Sequence, residues 1–443
     1  MASRPRLRAP EASRAELAVR AVIGLFLLAF AFVVFVAVSL HKRDRLSRRV
    51  LGWLCTGFGR TFVRAAERSK GGLIKIGQLG SLRSDLVPHE ITDELSKLQD
   101  RVAPHPYDEV RSQITAELGR APEDVFANFD PDPIAAASIG QVHYGVLRDG
   151  REVAVKVQYP GIEKALAVDM AVTRFGLWVF NFFTYVDTRK LFAELLESIE
   201  GEMDYLQEGR TSEVVAANLA AVPEFEDRYV IPEVYWDFTT RRVLTMEYTP
   251  GVKITHREEL EAAGLDVDET ARLCARLFMH QIFRDGVFHA DPHPGNLFVD
   301  ADGRIVILDF GMNKRIDPAV RDAIRRNIVA VVARDVDAYA QSMVDAGFVA
   351  DEEIDKIREV ARIQFDPRFW NVAPNEVADM DFSAYFAETR RQMRDIHSFQ
   401  LPNGVVMWGR ALGLLQALGG ELLPDVPPLD VIGPYVLEFL AAG

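Results

Sequence analysis

The chain has 443 residues, of which 49% are hydrophobic and 26% are charged, with a formal net charge of −14 and 2 cysteines. This composition is typical of globular proteins and excludes a disordered chain. The acidic balance argues against a nucleic acid as the main partner, because phosphate binding needs a basic surface, and 2 cysteines cannot build a disulfide framework.

The N-terminus predicts a basic tail followed by a membrane span. Residues 1–20 are rich in arginine and are expected to be flexible. Residues 21–40 carry no charge and would extend about 30 Å as a helix, the thickness of a hydrocarbon core. A cleaved signal peptide is the alternative, but the basic cluster over residues 42–49 opposes export.

We therefore predict a single-pass membrane protein. The basic cluster over residues 42–49 would then lie against anionic lipid.

Residues 41–128 are predicted to form a helical extension. Lys75 and Gln78 are three residues apart and share one face of an amphipathic helix. Taken alone, this spacing is also typical of a solvated helix face.

Residues 134–158 change to the two-residue period of strands. Lys156 alternates with Val155 and Val157 and so points to the opposite face. In kinase-like sheets such a lysine contacts the α- and β-phosphates of the nucleotide. An alanine-rich segment stands where kinases carry a glycine-rich phosphate loop, and we predict that it binds nucleotide: Ala135, Ala136, Ala137 and Ser138.

The next segments offer a carboxylate partner and a hinge. Residues 160–219 are predicted helices, and Glu202 and Glu208 are the candidates for the acidic partner that a kinase-like lysine requires. Residues 229–236 and 242–248 are predicted strands. The second ends where a kinase hinge would present the backbone of Glu247 and Tyr248 to adenine.

The segment over residues 289–311 carries the strongest catalytic signal. It contains a loop with Asp291 and Asn296, a β-hairpin, and an Asp-Phe-Gly sequence that begins at Asp309. Kinase-like phosphotransferases place a catalytic base and two metal ligands at this spacing. Asp291 would orient or deprotonate the attacking group, while Asn296 and Asp309 would hold Mg²⁺ on the phosphates of ATP. The structural alternative is a polar loop with a capped turn.

The region after residue 311 disfavours a kinase that acts on proteins. Only residues 312–317 precede Pro318 and a new predicted helix, whereas a protein kinase needs a long segment there to seat a peptide.

Together these segments resemble the UbiB-type atypical kinase-like proteins over residues 70–320. The resemblance rests on Lys75-Ile76-Gly77-Gln78, Ala135-Ala136-Ala137-Ser138, Val153-Ala154-Val155-Lys156, Glu202-Met203-Asp204, Glu208, the loop over residues 289–296 and Asp309-Phe310-Gly311. It implies an α+β, two-lobed protein-kinase-like fold with an N-terminal helical extension, joined here to one N-terminal transmembrane helix. The lobes would cover residues 129–250 and 251–443.

The resemblance also implies roles for single residues. Lys75 and Gln78 of the extension would lie near Glu202 and Asp204 in a regulatory contact, and Glu208 would pair with Lys156. Members of the family bind ATP with Mg²⁺, act as ATPases or small-molecule kinases, and support isoprenoid quinone biosynthesis at membranes. Many bacterial members carry their membrane spans at the C-terminus, whereas the span predicted here is N-terminal.

These features predict a membrane-anchored atypical kinase or ATPase that supports isoprenoid quinone (ubiquinone-like) lipid biosynthesis. Because nucleotide chemistry must face the side that holds ATP, the body of the chain is expected on the cytoplasmic (or matrix) side, in a bacterial cell the cytoplasmic side of the inner membrane. Its expected partners are a membrane lipid or quinone precursor and quinone-biosynthesis enzymes. The alternative is a pseudokinase-type scaffold that uses ATP binding as a conformational switch for membrane-associated enzymes. ATP hydrolysis that is sensitive to Asp309→Asn would discriminate between the two.

Overall fold

The structure is a computed structural model that describes residues 13–41, 46–69, 71–81, 87–99, 104–183, 188–290, 292–365, 396, 403–422, 437 and 441. The chain divides into two compact units. The first contains residues 1–210 and 232–249, and the second contains residues 211–231 and 250–443.

The described helices and strands follow in chain order. The helices are α1 (Arg14–His41), α2 (Arg48–Ser69), α3 (Gly72–Ser81), α4 (His89–Leu95), α5 (Tyr107–Leu118), α6 (Pro122–Val125), α7 (Ile162–Phe180), α8 (Thr188–Glu202), α9 (Tyr205–Ala220), α10 (Arg257–Ala262), α11 (Val267–His280), α12 (Pro318–Ala333), α13 (Val336–Asp345), α14 (Ile354–Gln364) and α15 (Asn403–Leu422). The strands are β1 (Phe126–Ala136), β2 (Gly140–Leu147), β3 (Glu152–Gln158), β4 (Tyr229–Val230), β5 (Val243–Glu247), β6 (Val252–Lys253), β7 (Val287–His289), β8 (Leu297–Val299), β9 (Ile305–Ile307) and β10 (Asn313–Arg315).

Helix α1 starts earlier than the charge-free run suggested. The Ser13 N–H donates to Glu16 Oε2 at 2.7 Å, and the Glu16 N–H donates to Ser13 Oγ at 3.2 Å. This capping box begins the helix at Arg14. The prediction of a flexible tail is therefore wrong for residues 14–20. Among the described residues, α1 is the one helix long and apolar enough to cross a membrane, and it remains a candidate span.

The first unit contains an antiparallel sheet with the strand order β1-β2-β3-β5. The three valines of β3 are fully buried in a cluster with Val110 and Ile114 of α5. Because side chains alternate along a strand, Lys156 is turned to the other face, as its position between the valines predicted.

Strand β1 was not predicted. The sequence predicts helices up to residue 128 and places Ala135 and Ala136 where kinases carry a phosphate loop, whereas the structure continues a strand from Phe126 to Ala136. Its pairing with β2 shifts register around Pro133. Proline and such irregularities are tolerated at a sheet edge, and they conceal the alternation by which a strand is detected.

The second unit contains the sheet β4-β9-β8-β6 and the pair β10-β7. Its core packs Leu277 and Phe278 of α11 against Phe288, Leu297 and Ile305. Strand β4 pairs in parallel with β9, so residues 211–231 belong to this unit and not to the continuous segment 129–250 predicted for the N-lobe. The strand predicted over residues 229–236 shrinks to Tyr229–Val230.

Candidate functional site

Lys156 and Glu208 form a buried ion pair in the first unit. Lys156 Nζ lies 2.7 Å from Glu208 Oε1, and the two residues are 9% and 3% exposed. The Tyr205 ring lies beneath the ammonium, with its centroid 5.1 Å from Nζ. Pairing offsets part of the cost of removing both charges from water. This is the partner that the resemblance implied for Lys156, and it decides between the two candidate glutamates.

The position of Glu208 follows from the start of α9. Asp204 Oδ1 accepts the N–H groups of Leu206 at 3.1 Å and of Gln207 at 3.2 Å. An aspartate in this position caps a helix N-terminus. The first turn that it fixes presents Glu208 to Lys156.

The turn after β1 is braced by hydrogen bonds. The Ala137 N–H donates to the Gly140 carbonyl at 2.8 Å, and the Tyr159 hydroxyl donates to the Ala137 carbonyl at 3.1 Å. The Ser138 carbonyl accepts the Gly71 N–H at 3.2 Å. Of the predicted nucleotide loop, Ala135 and Ala136 lie in a strand, and only Ala137 and Ser138 form the turn.

The helical extension meets the end of α8 through Lys75. Lys75, which is buried, forms an ion pair with Glu202. Gln78 instead donates to the Leu98 carbonyl at 3.0 Å, and Asp204 caps α9 and lies 3.6 Å from Arg241. Of the four residues expected to lie near one another, the structure joins Lys75 to Glu202, while the hydrogen bonds described for Gln78 and Asp204 go to Leu98 and to the first turn of α9.

The backbone at the predicted hinge is partly occupied. The Glu247 N–H donates to the Glu233 carbonyl at 2.8 Å, and the Tyr248 N–H donates to the Glu152 carbonyl at 3.1 Å. These two N–H groups are thus not available to a base.

Asn296 and Asp309 are brought together by the hairpin β8–β9 of the second unit. The strands pair Leu297 with Ile307, and the Leu308 N–H donates to the Asn296 carbonyl at 2.9 Å. Asp309 follows directly on the chain. Amide and carboxylate oxygens are the ligands that Mg²⁺ prefers in proteins, so the donors present here fit the predicted metal.

Asp309 has a left-handed backbone with φ 58°. Its Oδ1 accepts the Gly311 N–H at 3.1 Å. A non-glycine residue in this region is strained by about 1–3 kcal/mol, and such strain concentrates at functional sites. Aspartate tolerates the conformation better than most residues.

Asp291, the predicted catalytic base, lies outside the described residues. On its N-terminal side, the Ala290 N–H donates to the Met312 carbonyl at 2.8 Å. His289 is fully buried, and its Nε2 lies 3.2 Å from the Leu308 carbonyl, which the ring donates to when Nε2 carries the proton. His289 thereby ties the strand before the loop to the residue before Asp309.

Three residues with structural roles were missed from the sequence. Gln281 Oε1 accepts the His289 N–H at 3.2 Å from a π-helical turn over Gln281–Asp285. Such turns often occur at functional sites. Arg20 was assigned to the tail, and Asp169 was not singled out, although the two form a buried pair. The available signal was an arginine directly before the charge-free run over residues 21–40.

The chain is similar to several known proteins. A family model described as the ABC1 atypical kinase-like domain matches residues 97–343. The protein sll1770 of Synechocystis sp. is 35% identical over 379 residues, which cover 83% of this chain and 62% of that protein. The chloroplastic ACTIVITY OF BC1 COMPLEX KINASE 8 of Arabidopsis thaliana is 34% identical over 405 residues, covering 83% of this chain and 52% of that protein.

The chain thus spans 62% and 52% of the length of these two relatives. Among solved structures, the complex of Rv3197 with erythromycin from Mycobacterium tuberculosis is 27% identical, covers 82% of this chain and 95% of that chain, and has a TM-score of 0.46.

Proposed function

This chain belongs to the ABC1 atypical kinase-like family, and from that membership we propose that it is a membrane-anchored phosphotransferase of the kinase or ATPase type that uses ATP with Mg²⁺. The observation that carries the proposal is the buried ion pair between Lys156 and Glu208.

A buried ion pair contributes little to the stability of a fold. Replacing such a pair by apolar side chains of similar volume is often neutral or stabilising, because the cost of desolvating two charges approaches their attraction. A lysine held by a glutamate is, however, suited to meet a phosphate as a compact positive charge. We therefore assign Lys156 to the α- and β-phosphates and Glu208 to the orientation of its ammonium group.

The second unit supplies the oxygen ligands in the proposal. Asn296 and Asp309 would hold Mg²⁺, which when bound neutralises charge on the phosphates. The left-handed backbone of Asp309 supports a role beyond packing, since a strained residue is retained where its position matters. Asp291 is proposed as the base that orients or deprotonates the attacking group.

The proposed acceptor belongs to the membrane. Helix α1 is a candidate membrane segment, and the Arabidopsis relative carries the word kinase in its name. Together with the resemblance stated above, these observations support a membrane lipid or an isoprenoid quinone precursor as substrate, in support of quinone lipid biosynthesis, with the body of the chain on the cytoplasmic side.

The test is Mg²⁺-dependent ATP hydrolysis by the full chain in liposomes that contain anionic lipid and a phenol resembling a quinone precursor. We expect Asp309→Asn to reduce the turnover by about 10²–10³-fold, the range for the loss of one group that stabilises developing charge. The matched control is Asp302→Asn, because Asp302 is an exposed aspartate in the same hairpin; it should leave the turnover unchanged.

Two other results are informative. Tight ATP binding without hydrolysis in any lipid mixture would favour the pseudokinase-type scaffold. A chain that binds no nucleotide would refute both the enzyme and the nucleotide-switched scaffold.

A further inference from the structure

Helix α1 is packed against other helices of the first unit on two sides. On one side Leu27, Val34 and Ala37 are buried in a cluster with Leu51 and Cys55 of α2. On the other side Phe35 meets Phe180 of α7, with ring centroids 5.3 Å apart. A helix surrounded by lipid would not carry such protein neighbours along its whole length.

A buried ion pair fixes this packing near the start of α1. Arg20 Nε lies 2.6 Å from Asp169 Oδ1, and Arg20 Nη2 lies 2.7 Å from Oδ2. A third nitrogen, Nη1, donates to the Ser69 carbonyl at 2.6 Å. The side chains of Arg20 and Asp169 are 10% and 2% exposed. Because a guanidinium engaged in this forked geometry is oriented as well as neutralised, Arg20 locks α1 to α7 and to the end of α2.

The neighbours of α1 carry charges at the level of its middle. Phe30, midway along the apolar run, contacts Phe58 of α2 with ring centroids 5.4 Å apart. Arg60 follows Phe58 by two residues on α2, and its Nε lies 3.2 Å from Glu94 Oε1. The hydrogen bond from Lys97, together with that from Arg60, lowers the pKa of Glu94, which keeps it a carboxylate.

Crossing a bilayer in this packing would have a high free-energy cost. It would place the ionised Arg60 and Glu94 near the depth of the bilayer centre, where each charge costs about 2.5–3.5 kcal/mol on insertion scales. The described packing and a full crossing therefore exclude each other.

The remaining face of α1 is apolar and exposed. Its large exposed side chains include Val22, Phe26, Val33 and Val36, which recur at helical spacing along one stripe. On the adjoining helix α7, Trp178 is 59% exposed, and tryptophan is enriched where protein meets the headgroup region. The basic residues Arg48 and Arg49 begin the next helix and would attract anionic headgroups.

We propose that α1 binds the bilayer as a monotopic helix. Its exposed stripe enters the boundary between headgroups and acyl chains, α2 and α7 stay packed on its other sides, and both ends of α1 remain on the side of the body. This inference rests on the membrane anchoring in the proposed function and specifies how α1 attaches to the bilayer. It replaces the single membrane crossing that the apolar run predicted.

The test is the sidedness of α1 in the full chain expressed in bacterial cells. Ala15→Cys reports the exposed start of α1 without changing its capping box, and Asp149→Cys reports the exposed turn between β2 and β3. The native Cys55 and Cys274 are buried, so the unmodified chain measures background labelling. Intact spheroplasts and lysed spheroplasts are treated with a membrane-impermeant maleimide.

We expect the chain to sediment with membranes and both introduced cysteines to be labelled only after lysis, to the same extent. Labelling of Ala15→Cys in intact spheroplasts, with Asp149→Cys protected, would show a crossing and overturn the proposal. A chain found in the soluble fraction, as a monomer or as a dimer that covers the stripe, would overturn it as well. ATP hydrolysis measured on the same preparations reports separately on the proposed enzymatic function.

Discussion

Two buried ion pairs in the first unit, Arg20–Asp169 and Lys156–Glu208, look alike in burial but differ in chemistry. The arginine uses a planar fork on both carboxylate oxygens and a further N–H on a backbone carbonyl. The lysine presents a compact charge on a flexible stem. A fork is suited to fixing geometry, whereas a point charge can redirect its hydrogen bonds to an incoming phosphate.

The surroundings of the two pairs reinforce this contrast. Asp169 is so well enclosed that burial raises its pKa, against the lowering effect of Arg20. The pair joins helices α1 and α7, where we expect it to hold the membrane-binding arrangement. Lys156 lies on a sheet face opposite the valine core, where we expect it to serve the nucleotide. The comparison teaches that burial alone does not distinguish a structural pair from a functional one.

The largest effect is expected from removing one partner of the structural pair Arg20–Asp169. Arg20→Met leaves a buried carboxylate without its cation, which should lower the free energy of unfolding by about 3–5 kcal/mol. The measurement is urea unfolding of the full chain in detergent. Arg111→Met, which breaks a pair with Glu123 at the surface, is the control and should have no measurable effect. An Arg20→Met chain as stable as the parent would break the comparison.

Next in size is the effect of deleting each pair as a whole. Lys156→Met with Glu208→Leu should reduce ATP hydrolysis by about 10²–10³-fold while leaving the unfolding free energy nearly unchanged, because both charges are removed together. Arg20→Met with Asp169→Leu should leave the turnover of the folded chain intact. Lys253→Met, at an exposed strand lysine, controls for the loss of a positive charge. Equal turnover losses in the two double variants would contradict the assigned roles.

A smaller effect tests the packing around the third buried pair, Lys75–Glu202. A Cβ atom on Gly77 would clash with Leu98 and lie 2.9 Å from Phe62 Cε1. Gly77→Ala should therefore destabilise the chain by about 1–3 kcal/mol, although alanine favours helices. At Gly80 the same Cβ would lie 3.3 Å from Leu95 Cδ1, so the matched Gly80→Ala should cost less or stabilise. Thermal unfolding of both variants compares them; a reversed order would refute the packing argument.

The smallest effect concerns a buried base that is kept neutral. Burial lowers the pKa of His143, whose Nδ1 lies 2.8 Å from the Asp130 carbonyl and whose Nε2 lies 2.9 Å from the Gln141 amide nitrogen. A lowered pKa in the folded state means that the unfolded chain binds more protons in mild acid. Stability is then fully present above the unfolded pKa of about 6.5 and is lost as the pH falls.

Between pH 7.5 and pH 5 we therefore expect the His143 contribution to fall by up to about 1.4 kcal/mol per pH unit below the unfolded pKa. Urea unfolding at a series of pH values measures it, with His143→Gln as the comparison. If the pH profile of His143→Gln matched that of the parent, the neutral histidine would not be the source of the dependence.

The sequence alone determined the features that depend on near neighbours. Alternation placed Lys156 opposite the valines of β3, and turn chemistry between β8 and β9 returned Asp309 to Asn296. The length and apolarity of residues 21–40 predicted a membrane helix. These signals are local because helix and strand periods are written in consecutive residues.

Tertiary structure decided which distant residues meet. It selected Glu208 for Lys156 from 52 residues away, and it paired Arg20 with Asp169 across 149 residues. It also gave Gln78 the Leu98 carbonyl as its partner and carried residues 211–231 into the second unit. The spacing of residues along a helix or strand cannot predict such contacts. Whether a charge can be buried depends on which partners the complete fold places next to it.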